Sequence, residues 1–158
     1  MQTQRRSILK KLAASLVGVM GIGLVAKAKT HSGSHNEKEV FNVVTDQDVP
    51  LFSQATKFGG MVFIAGQGAH VEPFEIKAHT EIVLKGLEKE LIKAGSSMEK
   101  VLKVTVFLND INDYQGMNEV YKGRFGKNPP VRTTIAVAKG GVPGNSLVEM
   151  DCIAIANT

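Results

Sequence analysis

The sequence predicts an α+β domain in which one β-sheet carries two helices on a single face. Short runs rich in Val, Ile, Thr and Phe recur between turn-forming Gly, Pro, Asn and Asp, which is a strand pattern. Two longer segments carry apolar residues at spacings of three and four, which is a helix pattern. Their order along the chain is β-β-β-α-β-α-β-β.

Val40–Val44 reads as the first strand and Ala55–Phe58 as the second. Gly59-Gly60 then signals a hairpin into Met61–Ala65. Glu72–Ile76 is an irregular connection. From Lys77 to Ala94 a helix is predicted, with Val83, Leu84, Leu87, Leu91 and Ala94 as its buried stripe. Glu81 and Lys85 support it from one turn apart, and Gly95 stops it. Val101–Leu108 alternates, which predicts Leu102, Val104, Val106 and Leu108 on one face. Val101, Lys103, Thr105 and Phe107 take the other. Tyr114–Phe125 is the second helix, with Met117, Tyr121 and Phe125 inward. Pro129-Pro130 enforces an extended entry into the strand that ends at Val137, and Leu147–Ile155 is the last strand. With both helices on one face, the other face of the sheet is left bare. It is expected to hold Arg132, Thr134 and Ala136 together with Leu147, Glu149, Asp151 and Ile153. Such a mixture of apolar and charged groups predicts self-association around a site.

Residues 1–28 read as an export leader. Arg5-Arg6 heads a basic segment, Leu12 to Ala26 is an apolar stretch of 15 residues, and Ala26-Lys27-Ala28 has the small-x-small form of a cleavage site. A membrane-spanning helix needs roughly 20 apolar residues. The paired arginines resemble a twin-arginine signal and predict periplasmic export; an uncleaved membrane anchor is the alternative. Residues 29–39 form a polar linker, in which His31 and His35 have no partners to fix a metal. Residues 40–158 are the folded domain, with no stable membrane association expected once the leader is removed.

The leader also accounts for the basic balance. The whole chain has 19 basic and 15 acidic residues, but residues 29–158 keep 14 basic against the same 15 acidic, a net charge of −1. That balance argues against a nucleic-acid partner. Cys152, the one cysteine, can form no internal disulfide and alternates with apolar neighbours as a small buried hydrophobe. His70 and His79 show no metal-ligand spacing, so no metal is expected.

Two charges interrupt apolar strands. Arg132 follows Pro129-Pro130-Val131, and Glu149 lies in the last strand. Desolvating a guanidinium costs several kcal/mol unless an anion meets it, and its planar fork matches a carboxylate held by two parallel hydrogen bonds. The pair points to a site for a small carboxylic acid. A salt bridge between the two is the structural alternative.

A series of segments then carries a resemblance. They are Phe52-Ser53-Gln54-Ala55, Val62 to Gln67, Ala94-Gly95-Ser96-Ser97, Val104 to Leu108 with Asp110, Met117 to Tyr121 with Phe125, Pro130 to Thr134, and Val148 to Ala154. Taken in order, the domain resembles the reactive intermediate deaminase (RidA/YjgF-like) family from about Val40 to Ala156. The resemblance implies a chorismate-mutase-like α+β sheet, a homotrimer, and sites in clefts between subunits. It implies hydrolysis of 2-imino and 2-enamino acids to 2-oxo acids and ammonia without a cofactor. Arg132 matches the family's carboxylate clamp and Glu149 the acidic residue that activates water. Asn118 matches a polar site residue of the second helix, and Gly66-Gln67 the turn lining the cleft. Phe52 stands where many members have Tyr, Ala65 replaces a common Ser, and Thr134 replaces a common Cys. These departures thin the polar groups around the reacting end.

The expected mechanism holds a 2-imino acid by its carboxylate on Arg132 and sets its C2 carbon against water activated by Glu149. Thr134 adds its backbone carbonyl and hydroxyl. Phe52, Ala65, Gly66, Gln67 and Asn118 line the site. A non-catalytic, carboxylate-binding or chaperone-like trimer is the alternative, and ribonuclease activity a third that the charge disfavours.

Overall fold

The computed structural model describes residues 37–157. The expected leader at 1–28 and most of the linker lie outside the described residues. Six strands form one sheet: β1 (Glu39–Asp46), β2 (Val49–Phe58), β3 (Met61–Gly68), β4 (Val101–Leu108), β5 (Val131–Ala136) and β6 (Val148–Ile155). Their spatial order is β1-β2-β3-β6-β4-β5, antiparallel throughout except for the parallel β4–β5 pair. The helices are α1 (Ile76–Lys93) and α2 (Tyr114–Tyr121), and both cover the same face. The α+β class and the element order are as expected. Among the described residues, no helix is long and apolar enough to cross a membrane.

The core follows the helical stripe. Val83, Leu84, Leu87 and Leu91 are fully buried against Val62, Val104, Val106, Val148, Met150 and Ala154. Each of the Val, Leu and Met side chains among them contributes about 1.5–3 kcal/mol through removal from water. Gly95, at φ 75°, ends α1 as expected. Its N–H bonds Ile92 O and that of Ser96 bonds Leu91 O, at 3.1 and 2.8 Å, so the last carbonyls of the helix are satisfied. Glu81 pairs with Lys85 at 3.3 Å and also with Arg124. Cys152 is buried, and burial, with Asp151 adding to it, pushes its thiol up to about 12.

Four expectations change. β2 starts at Val49 rather than Ala55, because Gln47 and Asp48 both take positive φ and close a tight β1–β2 hairpin. α2 stops at Tyr121 instead of Phe125, because the chain turns through Gly123 at φ 81°. In β4 the pairing with β6 shifts between Val101 and Lys103, so Val101 is buried and Leu102 is exposed.

The fourth correction concerns the site. Arg132, Thr134 and Ala136 pair in parallel register with Val104, Val106 and Leu108, which are fully buried on the helix side. Register partners share a face. Arg132, Thr134 and Ala136 therefore lie on the helix side, whereas Glu149, Asp151 and Ile153 alternate away from buried Val148, Met150, Cys152 and Ala154. Leu147 lies just ahead of β6. The open face mixes charged groups, Glu149, Asp151 and Lys103, with apolar residues: Phe58, Met61, Phe63, Ile135 and Ile155 are exposed across neighbouring strands.

Candidate active site

Arg132 stands on the edge strand β5, half-buried beneath α2. Its Nη2 donates to Tyr114 Oη at 3.2 Å and its Nη1 approaches Met117 Sδ at 3.9 Å. The guanidinium carbon lies 4.6 Å from the Tyr121 ring centroid and 5.7 Å from that of Tyr114, a cation–π cradle. Tyr114, Asn118 and Tyr121 follow at spacings of four and three, so one stripe of α2 faces this arginine. Burial pushes the Tyr121 phenol up to about 12, although the Arg132 charge draws it down. It therefore stays neutral beside the cation.

No carboxylate pairs with Arg132 among the described residues. The intrachain salt bridge to Glu149 is thus absent, and its physical reason is the opposite facing of the two strands. The guanidinium has five N–H donors, and neutral groups of the protomer occupy only part of this set. Two buried hydroxyls in this neighbourhood, Thr134 Oγ1 and Tyr121 Oη, have no hydrogen-bond partner. Orphaned buried hydroxyls flanking an uncountered cation describe a polar, anion-accepting surface.

Glu149 builds a second cluster on the open face. Its register partners are Gly68 on β3 and Phe107 on β4. Between Ile64 and Gln67 the β3 register shifts, a bulge that carries Ala65 and Gly66. The Glu149 carboxyl lies directly over Gly66: a Cβ there would stand 2.8 Å from the Glu149 carboxyl carbon and closer still to Oε1. Only a glycine leaves room for the carboxylate in this position.

The remaining expected site residues separate. Gln67 lies on the helix side, where a Cβ on Gly86 of α1 would meet its Oε1 at 3.2 Å. Its amide donates to Gln54 Oε1 and Ala65 O at 3.0 and 3.1 Å, so it braces the bulge from beneath. Phe52 is exposed on β2 opposite Val44, with β3, β6 and β4 between it and Arg132. Within one chain the structure places Arg132 and Thr134 on one face of β5, beneath the α2 that carries Asn118, and separately groups Glu149, Ala65 and Gly66. Tyr114 and His70 are candidates that the strand and helix patterns do not single out. The available signal for Tyr114 is its helical spacing to Asn118 and Tyr121; His70 carries none.

Two buried polar groups hold the strand entrances. Ser146 Oγ accepts from Ala69 N at 2.9 Å and donates to Val148 O at 2.6 Å. His79 Nδ1 accepts from Leu147 N at 3.1 Å, which leaves Nε2–H to donate to Val71 O at 3.1 Å. Both nitrogens of His79 are thereby used in joining α1 to the approaches of β3 and β6.

Comparison with known proteins agrees with this architecture. Residues 47–156 match the family model described as Endoribonuclease L-PSP. A RutC family protein of Pyrococcus abyssi is 36% identical over 121 residues, covering 73% of this chain and 94% of that protein. The chloroplastic Reactive Intermediate Deaminase A of Arabidopsis thaliana is 33% identical over 134 residues, covering 78% of this chain and 68% of that protein. Among solved structures, a YjgF family member from Neisseria meningitidis has the same fold, with TM-score 0.69 and 23% identity, covering 78% of this chain and 98% of its own. The match of sequence and fold over nearly all of the described domain shows that the chain belongs to the endoribonuclease L-PSP (RidA/YjgF) family.

Proposed function

We propose that this protein is a cofactor-free hydrolase that converts reactive 2-imino and 2-enamino acids to 2-oxo acids and ammonia, in clefts between the copies of a homotrimer. The observation that carries the reading is Arg132, a cradled guanidinium with no carboxylate partner among the described residues. A substrate carboxylate supplies the missing charge through two parallel hydrogen bonds. Glu149 then acts as the base toward water at the C2 carbon.

Arg132 and Glu149 face opposite sides of their own sheet, so the proposed cleft takes one from each of two copies. The exposed apolar residues of the open face support such assembly. A relative named Reactive Intermediate Deaminase A supports the chemistry. The near-neutral charge of residues 29–158 gives no support to RNA as substrate. The Arg5-Arg6 leader extends the proposal to an exported enzyme, for which mass measurement of the N-terminus of protein recovered from the cell envelope is the check.

The test is ammonia release from freshly generated 2-iminopropionate by the wild-type chain and Arg132→Ala. Turnover above buffer in the first, and at least tenfold lower kcat/KM in the second, is the expected result. Tight carboxylate binding without turnover supports instead a non-catalytic binder, with Phe52, Ala65 and Thr134 as the substitutions responsible.

A further inference from the structure

We propose that His70 is a second catalytic group, the acid–base partner that serves the departing nitrogen while Glu149 serves the water. The inference rests on the deaminase reading and names a residue that this reading does not use.

Gly68 is the register partner of Glu149, so the two positions share the open face. A Cβ on Gly68 would lie 2.9 Å from His70 Cε1 and 3.1 Å from His70 Nε2. The imidazole thus lies over Gly68 while the Glu149 carboxyl lies over Gly66. Two glycines form a bare backbone floor, and a titratable side chain rests on each. No ion pair or hydrogen bond joins His70 to Glu149 among the described residues, so neither side chain is occupied by the other.

His70 is also oriented. Its Nδ1 lies 3.1 Å from Gly144 O. A carbonyl only accepts, so Nδ1 carries a hydrogen and Nε2 is the nitrogen free to exchange a proton. Gly144, at φ 64°, lets the turn approach the ring, because a Cβ there would stand 2.8 Å from Cε1. The Nδ1–H bond is kept in both protonation states of the ring. His70 is solvent-exposed, which leaves its Nε2 open to a ligand.

The balance of the reaction needs two such groups. In the addition, the oxygen of water bonds to C2 as its proton moves to Glu149. The C=N π pair moves to nitrogen, which takes the Nε2 proton of the imidazolium. In the collapse, the hydroxyl oxygen forms the C=O bond and its proton returns to Nε2. The C–N bond breaks with its electron pair on nitrogen, and Glu149 delivers the proton that completes ammonia. Both side chains end as they began.

The experiment compares wild type, His70→Ala, His70→Gln and Arg132→Ala on freshly generated 2-iminopropionate, with size and circular dichroism confirming the fold. His70→Ala and His70→Gln are expected to lose about 100-fold in kcat with KM nearly unchanged. Added imidazole should restore kcat in His70→Ala but not in His70→Gln, where the pocket stays filled. Wild-type kcat in His70→Ala, or a loss that imidazole leaves untouched, overturns the proposal. A wild-type chain no faster than buffer overturns the deaminase reading as well, whereas an Arg132→Ala defect beside an unaffected His70→Ala overturns only the role of His70.

Discussion

Placing a methyl group at Gly66 should stop the chemistry while leaving the fold intact. The new Cβ would stand 2.8 Å from the Glu149 carboxyl carbon, against about 3.4 Å for an ordinary contact. The carboxyl carbon must therefore retreat by about 0.6 Å, and Oε1 by more. This is the far end of a flexible side chain, so rotation absorbs the clash at a cost of about 0.5–1.5 kcal/mol. Gly66 is not among the glycines at positive φ, so alanine is free of backbone strain there. The lost freedom of the unfolded chain returns about 0.4–1 kcal/mol. Stability should change by less than about 1 kcal/mol in urea unfolding. Displacing a general base by this much should lower kcat about 100-fold in ammonia release. A Gly66→Ala variant within twofold of wild-type kcat would refute the placement of Glu149. A stability loss above about 3 kcal/mol would refute the argument differently, since the backbone would then be absorbing the methyl group.

Three further outcomes are expected. Tyr114→Phe keeps the ring but removes the 3.2 Å bond to Arg132, so KM should rise about tenfold at unchanged kcat in steady-state assays. Ser146→Ala leaves the Ala69 N–H without its partner in a buried position and should cost about 1–3 kcal/mol in urea unfolding. The third concerns acid. Burial raises the Glu81 carboxyl, but hydrogen bonds from Arg124 and Lys85 outweigh it and hold the group below its ordinary value of 4.5. The unfolded chain then takes up this proton first, so Glu81 contributes stability above that value and loses it as pH falls through the folded one. The stability gap between wild type and Glu81→Gln should narrow on acidification, and a gap that widens would contradict the sign.

How much of this was legible depends on which interactions decide each feature. The stripe of Val83, Leu84, Leu87 and Leu91 and the stop at Gly95 are local, so spacing and backbone preference suffice to find them. The β4 bulge is not local. Val101 and Leu102 are equally apolar, and only pairing with β6 buries the first and exposes the second. Arg132 shows the same limit at the site. Alternation orders the residues of one strand among themselves but says nothing of how one strand's faces match another's. The parallel register with β4 turns Arg132 toward the helices, and the antiparallel register of β6 turns Glu149 away. Chemistry nominates the candidate residue types, whereas their faces needed the sheet. Gln67 lay beyond reach for a related reason, because the bulge at Ala65 and Gly66 sends it under α1.

That opposition of faces makes a strong demand on the proposed enzyme. β4 lies between β5 and β6, so Arg132 and Glu149 are two strand spacings apart, roughly 10 Å across the sheet, and their registers offset them by a further roughly 10 Å along it, before their opposite directions are counted. A three-carbon imino acid cannot bridge that distance through the sheet. If each cleft takes its arginine from one copy and its glutamate from the next, Arg132→Ala and Glu149→Gln homotrimers are each inactive for a different reason. Denaturing the two variants together and refolding them at equal amounts would give mixed trimers. Random assembly pairs an intact arginine with an intact glutamate in about a quarter of the clefts, so about a quarter of wild-type activity should return. A site confined to one chain would recover none, because every chain then lacks one of the two groups. Recovery near a quarter, dependent on co-refolding rather than on simple mixing, distinguishes the shared cleft from a site within one chain.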